Sequence, residues 1–154
     1  MKGYIQVYTG NGKGKTTASL GLIVRALGND LKVYMAQFMK GQRYGELNIL
    51  EKLGVLVDRF GTQNCILSPE HVSELDRTKA KEGYKKVVDI LLSKKYDLIV
   101  LDPPAFAKHQ NVLHNALQGY KRLNQAAFEK IAPGGILFTF SCSQAVSKEN
   151  FRKS

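Results

Sequence analysis

The stretch Tyr4-Ile5-Gln6-Val7-Tyr8-Thr9-Gly10-Asn11-Gly12-Lys13-Gly14-Lys15-Thr16-Thr17 constrains this chain more than any other. Tyr4 to Tyr8 reads as a strand, and the glycines at 10, 12 and 14 end it. From Lys15 to Leu27 the apolar residues Leu20, Ile23, Val24 and Leu27 recur at the helical period, and Gly28-Asn29 closes the run. Strand, glycine-rich turn and helix, in that order, is what a phosphate-binding loop requires. Glycines let backbone N–H groups turn inward around phosphate oxygens, and the helix N-terminus adds the positive end of its dipole. The spacing is G-x-x-x-x-G-K-[ST], with Thr9 in place of the first glycine. Thr9, Gly10, Asn11, Gly12, Lys13, Gly14, Lys15, Thr16 and Thr17 are therefore the candidate nucleotide-binding residues. Lys15 brings an ammonium to the terminal phosphates, and the Thr16 hydroxyl suits Mg²⁺. Plain phosphate or sulfate can substitute in such a loop. A dinucleotide fingerprint does not fit: Lys15 stands where its third glycine belongs, and Gln37 and Phe38, not an acid, end the second strand.

The rest of the chain repeats the strand–helix alternation. Lys32 to Phe38 predicts a strand, Glu46 to Leu53 a short helix stopped by Gly54, and Val55 to Val57 an edge strand. Ser68-Pro69-Glu70 predicts a helix start. Val72, Leu75, Tyr84, Val87, Val88, Leu91 and Leu92 then mark one face of a long helix to about Lys95. Leu98 to Leu101 is continuously apolar, as a strand buried on both faces should be. Val112 to Ile131 predicts a further helix, and Ile136 to Cys142 the last strand. The pattern is that of an α/β fold, a three-layer αβα sandwich with a mainly parallel sheet. At 154 residues, a single domain is expected.

Asp102 ends the apolar strand at the position where a phosphate-loop protein places the acid that organises Mg²⁺. Thr16 and Asp102 are the candidate metal residues. The next residue is Pro103, not a carboxylate that could serve as general base, which disfavours fast hydrolysis.

The formal charge of +10 suits an anionic partner, whether nucleotide, nucleic acid or lipid surface, and equally serves solubility. Lys79, Lys81, Lys85, Lys86, Lys94 and Lys95 read as the solvated face of a helix, so nucleic acid is not the favoured partner. Cys65 and Cys142 form neither a metal spacing nor a disulfide framework, and His71, His109 and His114 lack a ligating partner. No apolar run approaches a membrane span, and a cytoplasmic location is expected. Tyr34, Phe38 and Tyr44 are either core aromatics or stacking surfaces for a ring.

Residues 1 to about 102 resemble the P-loop corrinoid adenosyltransferases. The likeness rests on Tyr8-Thr9-Gly10-Asn11-Gly12-Lys13-Gly14-Lys15-Thr16-Thr17, Gln37-Phe38-Met39-Lys40-Gly41, Gly45-Glu46 and Tyr96-Asp97-Leu98-Ile99-Val100-Leu101-Asp102. The resemblance implies binding of ATP with Mg²⁺, attack of a reduced cobalt corrinoid on the ribose 5′ carbon, and departure of triphosphate. Such chemistry needs a clamp for the leaving group more than a hydrolytic base. By the same resemblance, Lys40 and Arg43 are expected to contact triphosphate or substrate.

That family continues Leu-Asp-Glu, whereas this chain reads Leu101-Asp102-Pro103-Pro104-Ala105-Phe106-Ala107-Lys108, then Gly119-Tyr120-Lys121 and Pro133-Gly134-Gly135 through Ser141-Cys142-Ser143. Residues from about 96 to 154 are similar to the C-terminal half of class I methyltransferases, those making 5-methylcytosine in ribosomal RNA. The resemblance would make Cys142 the nucleophile. The family's S-adenosylmethionine loop belongs to a first half that is absent here, so Cys142 reads as an ordinary thiol and an S-adenosylmethionine-dependent activity is disfavoured.

The two likenesses share the strand Tyr96–Asp102. The chain accordingly reads as a recombined or engineered P-loop/Rossmann-like chimera, with 1–102 adenosyltransferase-like and 103–154 methyltransferase-like. The expected function is binding of a nucleoside triphosphate, ATP with Mg²⁺, with catalysis weak or absent. An active corrinoid adenosyltransferase, which would also take cobalamin, and a ligand-free scaffold are the alternatives. Two strand orders remain open: Ile136–Cys142 inserted between the Asp102 strand and the phosphate-loop strand, or placed outside them. Insertion is favoured because it gives Tyr4–Tyr8 a partner.

Overall fold

The computed structural model describes residues 4–9, 14–63, 71–103, 118, 121, 122, 125, 129 and 136–141. Along the chain run β1 (Tyr4–Thr9), α1 (Lys15–Leu27), β2 (Val33–Phe38), α2 (Gly45–Lys52), β3 (Leu56–Phe60), α3 (Glu74–Ser93), β4 (Leu98–Asp102) and β5 (Ile136–Ser141). The strands form a five-stranded sheet in the order β1-β5-β4-β2-β3. Every pairing is parallel. The last strand thus lies between β4 and β1, which is the inserted order.

Alternation along the central strands sorts two cores. Val33 and Met35 of β2 and Leu98 and Val100 of β4 pack with Ile23 and Ala26 of α1 and Leu50 of α2. Tyr34, Ala36 and Phe38, with Ile99 and Leu101, pack with Val87 and Leu91 of α3. The sheet therefore has α1 and α2 on one face and α3 on the other, the three layers that the sequence pattern predicts. Handedness explains the sorting. The chain moves outward from β1 to β2 to β3 and turns back from β3 to β4, so right-handed crossovers place α3 opposite α1 and α2. All six residues of β2 and all five of β4 are buried, which accounts for the apolar runs Val33–Ala36 and Leu98–Leu101 that precede the polar Gln37 and Asp102 at their carboxyl ends.

Two elements depart from the sequence expectation. β3 runs to Phe60 and includes Asp58 and Arg59, which hydropathy alone excludes from a strand. Asp58 accepts a hydrogen bond from the Tyr34 hydroxyl at 2.9 Å, and burial with that neighbour pushes the phenol well above its usual range. The buried stripe of α3 is Asp76, Gly83, Val87 and Leu91, whereas Leu75, Tyr84 and Leu92 are exposed. Gly83 sets this rotation, because a Cβ there would overlap the Phe60 ring and crowd Phe38. The Ser68-Pro69 helix start lies outside the described residues. Within them, α3 begins after Ser73, whose hydroxyl accepts from the Asp76 N–H while the Asp76 carboxylate accepts from the Ser73 N–H, a capping box. Gln118, Lys121, Arg122, Gln125 and Glu129 are helical and exposed, the polar face of the helix expected over 112–131. No helix among the described residues is long and apolar enough to cross a membrane.

Candidate nucleotide and cation site

Parallel strands bring their carboxyl ends to one edge of the sheet, and α1 begins at that edge. Thr9 closes β1 opposite Ser141 of β5, and Gln37 lies beside Asp102 in the β2–β4 register. Gly10, Asn11, Gly12 and Lys13 lie outside the described residues. Gly14, the N-cap of α1, has φ 96°, a left-handed conformation in which a Cβ would be strained. Its carbonyl accepts from Ala18 N–H at 2.8 Å, so Lys15, Thr16 and Thr17 form the first helical turn. The opening amides of a helix have no intrahelical acceptor, and this turn holds no acidic side chain that would oppose an anion. Ser19 is fully buried and donates to the Thr16 carbonyl at 2.6 Å, tying that turn together.

Lys40 joins the loop to the acid. Its Nζ donates to Thr16 Oγ1 at 3.4 Å and forms an ion pair with Asp102 Oδ2. The Asp102 side chain is 3% exposed and that of Lys40 26%. Gln37, fully buried, donates from Nε2 to the same Asp102 oxygen at 3.5 Å. Three sequence-predicted residues, Thr16, Lys40 and Asp102, thus meet at one point.

Lys40 is aimed by its backbone. Met39 sits at φ 55°, unusual for a side chain with a Cβ, and its N–H donates to the Phe60 carbonyl at 2.6 Å. Gly41 packs so closely on Thr62 that a Cβ would collide with the Thr62 carbonyl, and a Cβ on Gly61 would meet Met39 and Lys40. Arg59 Nη1 donates to the Gly41 and Gln42 carbonyls at 3.4 and 3.1 Å. Thr62 in turn donates to Asp76 Oδ1 at 2.7 Å. Hydrogen bonds from Ser73 and then Thr62 hold the Asp76 carboxyl below the usual carboxylate range. The α3 cap therefore braces the turn that carries Lys40.

Other candidates fall elsewhere. Arg43 donates to Asn48 at 3.0 and 3.2 Å and to Glu51 at 2.8 Å, facing α2 and not the site. Tyr34 is buried against Tyr96, with ring centroids 5.5 Å apart, and Phe38 lies 5.3 Å from Phe60, so both are core residues. Tyr44 remains exposed. Cys142 lies outside the described residues. Gln37, Gly61, Thr62 and Asp76 belong to the site's support without having been singled out for it; the Ser73-x-x-Asp76 spacing was the available signal for the last.

The donor set fits a hard divalent cation: a threonine hydroxyl and a carboxylate oxygen within reach of one position. Gln37 Oε1 beside them is buried without a hydrogen-bond partner, an acceptor that a cation's water could satisfy.

Residues 1–118 match the family described as ATP:corrinoid adenosyltransferase BtuR/CobO/CobP. The chain belongs to that family. A second likeness accompanies it, to proteins named ribosomal RNA large subunit methyltransferase I. The protein of that name from Tolumonas auensis is 42% identical over 87 residues, covering 53% of this chain and 22% of the relative. That from Aeromonas salmonicida is 49% identical over 59 residues, 38% of this chain and 15% of the relative. That from Shewanella frigidimarina is 40% identical over 89 residues, 56% and 21% respectively. The chain thus spans about a fifth of the length of these relatives. A likeness of 87 residues in 154 necessarily overlaps a match that ends at residue 118.

Proposed function

We propose that the protein binds the triphosphate of ATP, with Mg²⁺, at the carboxyl edge of the sheet. The observation that carries this reading is the meeting of Thr16, at the start of α1, with Lys40 and Asp102. Thr9 through Thr17 would wrap the phosphates, with Lys15 and Lys40 supplying positive charge. Thr16 and Asp102 would hold Mg²⁺, which when bound neutralises charge on the triphosphate.

The family reaction moves the 5′ carbon of ATP onto the cobalt of a reduced corrinoid. A Co–C bond forms, the C5′–O bond breaks, and triphosphate leaves with the electron pair. Lysine and amide donors that hold the leaving triphosphate favour this step without a general base. Membership of the family and the 1–118 match support adenosyl transfer as the chemistry to look for. We propose that turnover is weak, because the sequence after Asp102 departs from the resembled family, whose following strands help shape the nucleotide and corrinoid sites. We also propose that the two likenesses mark a chimera joined within β4, a single α/β domain over 1–154.

The test is a calorimetric titration of Mg-ATP into the protein and Lys15→Ala. The variant should bind about tenfold more weakly or worse. Equal binding, or no binding by either, refutes the reading. Growth of adenosylcobalamin absorbance from reduced cobalamin and ATP measures the transfer itself. A rate typical of a full enzyme would overturn the proposal of weak turnover.

A further inference from the structure

The Lys40 ammonium stands where two cation ligands converge. Thr16 Oγ1 and Asp102 Oδ2 both contact it. We propose that Lys40 is a tethered stand-in for the divalent cation: in nucleotide-free protein it occupies the Mg²⁺ position, and it leaves when Mg²⁺ arrives with the triphosphate. The proposal rests on the reading of Thr16 and Asp102 as cation ligands.

Three features support the exchange. An ammonium and a dication cannot share two adjacent oxygens, because unit charges about 4 Å apart already repel substantially at protein dielectrics. The backbone under Lys40 is fixed: Met39 is bonded to Phe60, and Gly41 is pressed against Thr62. The side chain above it is a flexible four-carbon stem that retains partial exposure, so the head can swing while the turn stays put. Finally, Gln37 Oε1 has no donor in the lysine-filled arrangement. Reversing the amide would turn that oxygen toward the Asp102 carboxylate, acceptor against acceptor, so its orientation is set by Asp102. A hydrated cation brings water O–H groups that can supply the missing donor.

On this arrangement Lys40 acts as a positioning residue. It keeps Asp102 paired and keeps free divalent ions off the site until a nucleotide delivers one. Once displaced, its ammonium lies within a side-chain's reach of the incoming phosphates.

The experiment is Mn²⁺ binding to the nucleotide-free protein of 154 residues, read from the free-ion signal in electron paramagnetic resonance. Lys40→Met should bind Mn²⁺ about tenfold more tightly or better than the unaltered protein, because the competing charge is gone. Adding Asp102→Asn to Lys40→Met should abolish the gain, and Lys40→Arg should retain the weak binding. Unchanged or weaker Mn²⁺ binding by Lys40→Met overturns the proposal, as does a gain that survives Asp102→Asn. If Lys40→Met does not fold, Lys40→Gln keeps the polar head without the charge and is read in the same way. Mg-ATP calorimetry on the same samples tests the nucleotide reading separately, since the Mn²⁺ comparison is made without nucleotide.

Discussion

At the scale of single residues, the site trades stability for readiness. A buried acceptor without a partner costs about 1–3 kcal/mol, and Gln37 Oε1 is such an acceptor at the carboxyl edge of the sheet. Gln37→Met keeps the volume and removes the orphan oxygen. We expect it to raise the urea midpoint, equivalent to about 1 kcal/mol, while weakening Mg-ATP binding. A lowered midpoint would mean that Gln37 is already satisfied. Gly14 is the second residue whose identity is dictated locally. At φ 96° an alanine is strained by about 1–2 kcal/mol, so Gly14→Ala should lower stability and loosen nucleotide binding together, read by thermal melts with and without Mg-ATP.

At the scale of elements, α3 braces the site from across the sheet edge. Its capping box joins Ser73 to Asp76, and Asp76 reaches on to Thr62, against which the Lys40 turn rests. The Asp76 carboxyl is held below its ordinary value of 3.8, so the folded state favours its ionised form. That contribution is complete above the unfolded value and is lost as pH falls through the lower folded value. We therefore expect Asp76→Asn to be less stable than the unaltered protein at pH 7, with the gap closing below about pH 4. Parallel urea titrations at pH 7, 5 and 3 check this, and a gap that is constant with pH would contradict it. Farther along the helix, Gly83 lies against Phe60 and Phe38 with no room for a methyl group. Gly83→Ala gains helix propensity of about 1 kcal/mol but overpacks the contact by about 1–3 kcal/mol. The overlap is with ring atoms in the core, so we expect net loss in chemical denaturation.

At the scale of the whole molecule, the nucleotide strand depends on the far end of the chain. β1 pairs with β5, and β5 pairs with β4, so β5 separates β1 from both β4 and β2. Residues 1–102 contain every candidate phosphate and cation residue, yet the first strand is joined to the sheet through residues 136–141. A chain of residues 1–102 should therefore fail to bind Mg-ATP although its motif is intact. Calorimetry together with circular dichroism measures this, and retained binding would show that β1 finds another partner. The same dependence makes β5 the strand that joins β1 to the rest of the sheet.

What the sequence determined by itself was local. The strand Tyr4–Thr9 and the helix Lys15–Leu27 are legible because neighbouring residues alone set strand ends and helical period. The burial of Leu98–Leu101 is legible because a strand covered on both faces must be continuously apolar. Tertiary structure decided what lies between distant segments. Two orders were compatible with the βα pattern, and the sheet takes the one in which β5 separates β4 from β1. Lys40 meets residues 24 and 62 positions away, and no periodicity encodes that. The buried stripe of α3 runs through Asp76 and Gly83, residues that hydropathy discards, because one is satisfied by hydrogen bonds and the other makes room for two aromatic rings. Local propensity chose the elements, and nonlocal strand pairing and close backbone contact placed their functional groups together.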